Sequence, residues 1–271
     1  MSVAFLGPAQ TFSHLVAKKR FPKRKLLPLP SIPEVVEYVR RHPLSSGIVP
    51  IENSSSGMIP ETVDLLLDRS FSLCIREELA LRVRLALLGR RGAKIKTLYS
   101  HAAPLYHCRN WIMQRFPEVQ LRRVASTAEA ARLASLEPAS AALSTRDAAI
   151  LYGLEVLEYP VADDTANLTQ FFVLGHRPAG SGARETSLAV LLKEKVGSLC
   201  SFLEPFREEG LNLKRIVSHP VMGHPNTYFF FLSVQAPNTD PRFIQATEKA
   251  KKHTWEMRLL GSYPVRRPYS S

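Results

Sequence analysis

The sequence predicts an α/β protein in two parts. Two observations carry this. Short apolar segments alternate with segments of helical spacing over the first two thirds of the chain, and after a Gly/Pro/Ser/Ala-rich stretch at residues 176–185 the order becomes βαββαβ. Alternating strands and helices predict parallel sheets, because a parallel pair needs a crossover that a helix supplies. The second order is the ferredoxin-like one.

"SVAFLG" is short and apolar, as a buried strand is, and stops at Gly7-Pro8. Thr11 or Ser13 caps a helix running to Arg20. "SIPEVVEYVRR" puts Val35, Val36 and Val39 on one helical face, and "GIVPI" is a strand followed by a polar turn and a helix over about 59–68. "SLCIREELA" and "LRVRLALLG" are strands ending at the turn "RRGAK". "KTLYSH" is strand then loop, "PLYHCRNWIMQRF" a helix, "LRRVAS" a strand, and "TAEAARLAS" a helix capped by Ser126 or Thr127. "SAALSTRDAAILYGL" reads as strand, turn and helix, and "TQFFVLG" as a strand. Beyond the linker come strand "TSLAVLLKE", a turn at Gly197, helix "SLCSFLEPFREEG", strands "LNLKRIVSHP" and "TYFFFLSVQ", a helix over 241–252, and strand "EMRLLGSYP".

A chain of 271 residues accommodates one large and one small domain. No segment approaches the roughly 20 apolar residues of a membrane helix, and the first ten residues lack the pattern of a secretory signal. Cys74, Cys108 and Cys200 are odd in number and far apart, which suits buried thiols in a reducing cytoplasm rather than a disulfide framework. The net charge of +12 fits nucleic acid, an anionic surface or a small acidic substrate. Its densest run, "KKRFPKRK", lacks zinc-finger spacing or interleaved aromatics, so a solvated turn is the simpler reading and neither nucleic acid nor membrane is expected as a partner. The 8 histidines show no H-E-x-x-H, and no metal site or cofactor is expected.

Chemistry concentrates in polar turns at the ends of apolar segments, where open α/β sheets bind ligands. These are "GPAQTFS" at residues 7–13, "GIVPIENSSSG" at 47–57, "YSH" at 99–101 and "NLTQF" at 167–171. Taken alone, the Thr and Ser residues there are equally caps and turn formers. In order and spacing, however, the four runs resemble the signature segments of prephenate dehydratases, across about residues 3–264. That resemblance implies loss of water and carbon dioxide from prephenate to give phenylpyruvate, in a catalytic domain of two α/β lobes like a periplasmic binding protein. It assigns Thr169 as acid or hydrogen-bond catalyst, with Asn53 beside the substrate and Ser100 third. Thr11, Ser13, Glu52, Ser54, Ser55, Gly57, His107, Gln170 and Phe171 follow as substrate-binding residues. "KVGSLCSFLEPFREEGLNLKRIVSHP" resembles an ACT-type regulatory domain, which implies phenylalanine as effector at Gly197, Ser198, Leu199, Asn212 and Ser218, and a homodimer or homotetramer. The expected division is a catalytic domain over 1–176, a linker over 177–185 and the regulatory domain over 186–271.

The chain departs from the family pattern at several points. Gln170 replaces an arginine suited to a substrate carboxylate, Ala102 and Ala103 replace Pro and Gln, and His107 replaces a glutamine. "VSHP" at 217–220 replaces E-S-R-P and "GSLC" at 197–200 replaces a G-A-L segment, so weak, altered or lost feedback by phenylalanine is expected. These departures are also what a non-catalytic ligand-binding homologue would display. A prephenate decarboxylase that keeps the ring hydroxyl is a second rival, against which the presence of Thr169 argues.

Overall fold

The computed structural model of the protein describes residues 1–161, 167–221 and 227–271. The chain opens with β1 (Ser2–Leu6), α1 (Phe12–Arg20), β2 (Lys25–Leu29), α2 (Ile32–Arg41) and β3 (Ser46–Asn53). A two-residue strand β4 (Gly57–Met58) folds back on β3 before α3 (Pro60–Leu67) and β5 (Cys74–Arg82). The chain then crosses into a second sheet: β6 (Leu85–Gly89), β7 (Thr97–Ser100), α4 (Ala102–His107), α5 (Arg109–Arg115), β8 (Gln120–Arg123), α6 (Thr127–Leu136), β9 (Ser140–Ser144), α7 (Ala148–Tyr152) and β10 (Glu155–Val161). It returns in β11 (Leu168–Gly175). A third sheet follows with β12 (Glu185–Leu192), α8 (Ser198–Glu208), β13 (Leu213–Pro220), β14 (Tyr228–Val234), α9 (Pro241–Ala250) and β15 (Thr254–Tyr263), and the tail ends in β16 (Tyr269–Ser270).

The sheets are mixed, which corrects the expectation of parallel ones. β1 pairs parallel with β2 and β3, but β11 runs antiparallel to both β3 and β5. In the second sheet β7 is parallel to β8 and β9, whereas β6 is antiparallel to β9 and β10. The antiparallel strands are those on which the chain crosses between the sheets. The helix expected over "PLYHCRNWIMQRF" is two short ones meeting at Cys108, whose φ −90° and ψ 13° leave helical geometry.

Period-two alternation decides which layer each strand residue joins. On the first sheet Val3, Phe5, Ile48, Phe171 and Val173 face forward, packing with Leu15, Val16 and residues of the second sheet. Ala4, Val49, Ile51, Phe172 and Leu174 face the rear. That rear core also takes Ala189, Leu191, Phe229, Phe231, Leu260 and Tyr263 of the third sheet, so these two sheets share one apolar interior. The opposite face of the third sheet, with Leu188, Val190, Leu232 and Val234, is covered by Phe202 and Phe206 of α8 and Phe243 of α9. Its order, β13-β14-β12-β15, is that of a βαββαβ sheet. Where β15 passes β5, a Cβ at Gly261 would collide with the Ile75 carbonyl oxygen, so only glycine allows that approach. The last eight residues leave the third sheet altogether. Val265 bridges to Glu78, and β16 pairs with β5, with Tyr269 beside Leu81.

Candidate active site

A cleft of about 680 Å³ lies between the first and second sheets. It collects the carboxyl ends of β1, β2, β3, β7 and β8 and the start of β11, where open α/β sheets present their loops. Most of its wall is apolar, including Pro8, Phe12, Pro28, Ile59, Val83 and Phe171. Thr11, Ser13, Asn53, Ser55, His107, Asn167 and Thr169 contribute the polar groups, together with His101, Ser56, Ser126 and Thr127. The two sequence runs separated by more than a hundred residues, "IENSSSG" and "NLTQF", therefore meet in one place.

The meeting is a cross-strand pair. β3 and β11 place Asn53 opposite Thr169, and Asn53 Nδ2 donates to Thr169 Oγ1 at 2.9 Å and to Asn167 Oδ1 at 3.0 Å. Asn53 Oδ1 accepts from the backbone N–H groups of Ser55 (2.9 Å) and Ser56 (3.2 Å), an Asx-type turn that fixes the amide orientation. Both amide hydrogens are thus committed inside the protein, so Asn53 orients Thr169 instead of donating to a ligand as the sequence reading expects. With its oxygen accepting from Asn53, the Thr169 hydroxyl has its own proton to donate elsewhere.

The other expected residues divide. Ser55 Oγ lies 2.8 Å from His107 Nδ1, a contact that closes one side of the cleft. Thr11 is buried and caps α1 by accepting from His14 N–H at 3.3 Å, while its hydroxyl turns to the Pro8 carbonyl at 3.0 Å. Ser13 and Phe171 line the cleft. Five expectations need correction. Ser100 is fully buried and donates to the Leu143 carbonyl at 2.7 Å, tying β7 to β9 away from the cleft. Ser54 Oγ accepts from Leu168 N–H at 2.9 Å and so joins the β3 corner to β11. Gly57 lies in β4 with φ 81°, a turn position that suits glycine, and is outside the cleft lining. Glu52 and Gln170 sit opposite one another on the rear face, because each is one residue from a cleft residue on a pleated strand.

Behind the cleft those two meet a buried ionic cluster. Gln170 Nε2 donates to Glu78 Oε1 at 2.9 Å, and Arg215 of β13 donates through Nε to Glu52 at 2.7 Å and through Nη1 to Glu78 at 2.7 Å. Lys214 Nζ adds contacts to Glu78 at 2.6 Å and Glu185 at 3.0 Å. Burial pushes the Glu78 carboxyl upward, but the hydrogen bond and charge of Arg215, helped by Lys214, outweigh it and leave Glu78 below its ordinary value. Glu185 goes the other way, raised by burial and then by Glu78. Arg82 and Arg84, the cations nearest in sequence to the crossing strands, are exposed and do not line the cleft.

Two histidines have lowered pKa values, His101 at the cleft and His14 next to the lining residue Ser13. His101 caps α4, and burial lowers its pKa. His14, one turn into α1, stacks on Phe5 at 5.1 Å and accepts from Gln10 N–H at 3.0 Å; burial and then Lys18 lower its pKa against a weaker pull from Asp147. Among the described residues no group of three or more His, Cys, Asp or Glu could hold a metal ion, and no helix is long and apolar enough to cross a membrane.

In the third sheet, Gly197 has φ 79° ahead of α8, where Ser198 Oγ donates to the Lys193 carbonyl. Asn212 Nδ2 donates to Gln235 at 2.8 Å just before β13, whereas Ser218 lies six residues on, roughly 20 Å along an extended strand. Within one chain the expected effector residues Asn212 and Ser218 are therefore apart. Leu199 lies in the first turn of α8, and His219 Nδ1 is 3.0 Å from Asp64 of α3.

Comparison with known proteins shows the family. Residues 3–179 match the family described as prephenate dehydratase. A bifunctional chorismate mutase/prephenate dehydratase of Stutzerimonas stutzeri is 34% identical over 268 residues, covering 97% of this chain and 73% of that protein. The crystal structure of a prephenate dehydratase from Arthrobacter aurescens, in complex with L-Phe, is 28% identical and superposes with a TM-score of 0.87 over 97% of this chain and 90% of that one. A protein described as a novel type of quorum quenching acylase superposes with a TM-score of 0.85 over 98% of both chains, at 24% identity, a likeness of fold alone. With a matched segment that carries both halves of the Asn53–Thr169 pair, the chain belongs to the prephenate dehydratase family.

Proposed function

We propose that the chain is a lyase that converts prephenate to phenylpyruvate, with Thr169 as the hydrogen-bond or proton donor to the departing ring hydroxyl. The observation that carries this is the 2.9 Å contact in which Asn53 donates to Thr169 Oγ1 at the cleft surface. As the C–O bond breaks, negative charge grows on the leaving oxygen. The Thr169 proton moves toward it, and the Asn53 amide stabilises the charge that this leaves on Oγ1. The ring carboxylate leaves as carbon dioxide, the electron pair of its C–C bond enters the ring as the hydroxide, protonated, departs as water, and a proton from solvent then restores the Thr169 hydroxyl. Aromatisation drives the step, so the protein supplies position more than nucleophilic power.

Apolar walls suit the ring. The substrate carboxylates have the first turns of α1 and α6 facing the cleft through Phe12, Ser13 and Thr127, where backbone N–H groups lack partners within the helix and the dipole favours anions. Ser55 and His107 complete the polar wall.

The same reading makes residues 1–176 a two-lobed catalytic domain like a periplasmic binding protein, and 186–271 an ACT-type regulatory domain joined by 177–185. The strand order of the third sheet supports the latter, although the tail returning to β5 makes the boundary less clean than the linker suggests. Phenylalanine is the proposed effector, supported by the L-Phe complex of the Arthrobacter aurescens relative. Assembly as a homodimer or homotetramer through the third sheet would bring Asn212 of one copy toward Ser218 of another. A cytoplasmic location fits Cys74, Cys108 and Cys200, which form no disulfide.

The deciding experiment is incubation of the purified protein with prephenate at mildly basic pH and identification of the product. Phenylpyruvate supports the proposal. A non-aromatic keto acid would mean decarboxylation alone, and binding without turnover a non-catalytic homologue.

A further inference from the structure

We propose that Arg215 of the third sheet is a positioning residue for the Asn53–Thr169 pair, clamping both strands of that corner from behind. The proposal rests on the catalytic reading above and adds a residue from outside the matched catalytic segment.

The geometry is direct. One guanidinium reaches Glu52, the residue before Asn53, and Glu78, whose other oxygen accepts from Gln170, the residue after Thr169. Glu52 and Gln170 are themselves a cross-strand pair, so a planar fork spans the rear of the two positions that face the cleft. The backbone ladder does not do this alone. Pairing between β11 and β3 shifts register between Gln170 and Phe171, immediately beside the catalytic pair. At such a point a side-chain clamp sets the spacing that the ladder leaves loose.

Arg215 is also placed at a cost. It is only 5% exposed, lies over the Phe172 ring at 5.7 Å, and its Nη2 has no hydrogen-bond acceptor among the described residues. A buried ion with an unused donor is a poor stabilising device compared with an apolar side chain, and buried ions are better attested where they fix an arrangement. Lys214 cannot replace it, because its contacts are to Glu78 and Glu185 and none is to Glu52. Position 170 can replace it in part: it already touches Glu78, so a guanidinium there would restore a cation to the same carboxylate.

The test uses the full chain. Arg215→Gln should lower kcat by about 10–100-fold with KM changed less than about threefold, the scale expected when reacting groups are displaced by a fraction of an ångström to an ångström. Arg215→Lys should keep part of the rate. Adding Gln170→Arg to Arg215→Gln should recover about tenfold or more. Glu52→Gln covers the case in which Arg215→Gln does not fold, since it breaks one arm of the clamp and leaves the Glu78 contacts in place. A second readout needs no turnover: the Asn53 side-chain amide resonances should shift and broaden in Glu52→Gln and Arg215→Gln, and return in the Arg215→Gln, Gln170→Arg pair. Wild-type kcat and unchanged Asn53 resonances in folded Glu52→Gln or Arg215→Gln overturn the proposal. A loss that neither Arg215→Lys nor Gln170→Arg relieves also overturns it, as a general packing defect. If the wild type does not turn over prephenate, the catalytic reading fails, and the resonances still decide whether Arg215 holds Asn53.

Discussion

Replacing Thr169 with valine removes one oxygen and almost no volume, so it isolates the hydroxyl. In the structure that oxygen accepts one hydrogen bond, from Asn53 Nδ2 at 2.9 Å, and the same amide keeps its second bond to Asn167 Oδ1 at 3.0 Å. Stability should therefore fall by about 1 kcal/mol, the net worth of one partly exposed hydrogen bond. The rate should fall much further. A positioned proton donor contributes about 10²–10⁴-fold, which corresponds to roughly 3–5 kcal/mol in the barrier. The apolar walls are untouched, so KM should change little. Thr169→Ser keeps the oxygen and its contact with Asn53, and kcat should stay within about tenfold of wild type, the difference reflecting freer rotation about χ1. Steady-state formation of phenylpyruvate, with urea unfolding of each variant, measures both quantities. If Thr169→Val is folded and its kcat lies within threefold of wild type, the hydroxyl is not the donor and the assignment fails.

Other outcomes follow from the same contacts. His14 has its pKa lowered by burial, so the folded state binds fewer protons than the unfolded one near the ordinary value of 6.5; stability should be complete above about pH 6.5 and drain away as pH falls through the folded pKa. Protonation would also cost the Gln10 N–H its acceptor, and thermal unfolding between pH 5 and 8 should show a slope that His14→Gln reduces. Glu78→Ala strands Arg215 without its buried partner and should cost about 3–5 kcal/mol in urea unfolding; a loss below 1 kcal/mol would mean that the cluster relaxes into water. Ending the chain at Tyr263 removes the bridge at Val265, the Arg266–Glu77 pair at 3.0 Å and β16, so backbone amides of β5 should gain hydrogen exchange first.

Much of the fold was readable because strand and helix periods are local. Val35 and Val39, spaced for one helical face, are both buried, and Thr11 and Ser126 are the caps that their positions suggest. The resemblance of short motifs pointed to Thr169 and Asn53, which the structure brings into contact at the cleft, but it could not say which way neighbouring side chains point. Ser100 shows the difference: its loop motif suggests a ligand contact, whereas the alternation of β7 turns it inward to Leu143. β10 escaped notice because "EVLEYPV" mixes charge with Pro160, tolerable only because the strand is at a sheet edge. Strand direction was misjudged for a related reason, since nothing local to "TQFFVLG" tells whether it runs with or against β3. The Glu78–Arg215 contact joins residues 137 positions apart, and a lone glutamate in "REELA" carries no sign of its partner.

The departure at position 170 illustrates how a motif mismatch changes meaning once the pleat is known. Read along the chain, glutamine in place of arginine beside Thr169 suggests a lost grip on a substrate carboxylate. On the strand, neighbours face opposite ways, so the residue after Thr169 cannot share its cleft. Gln170 instead answers to Glu78, a carboxylate with no exposed surface that needs positive charge close by. Arg215 and Lys214 bring that charge from a strand in another sheet. Gln170 is therefore one of the contacts that hold the rear of this corner, together with Arg215 from β13. β13 carries Ser218 and His219 as well as Arg215, so one strand of the third sheet holds both an expected effector residue and the contact to Glu52.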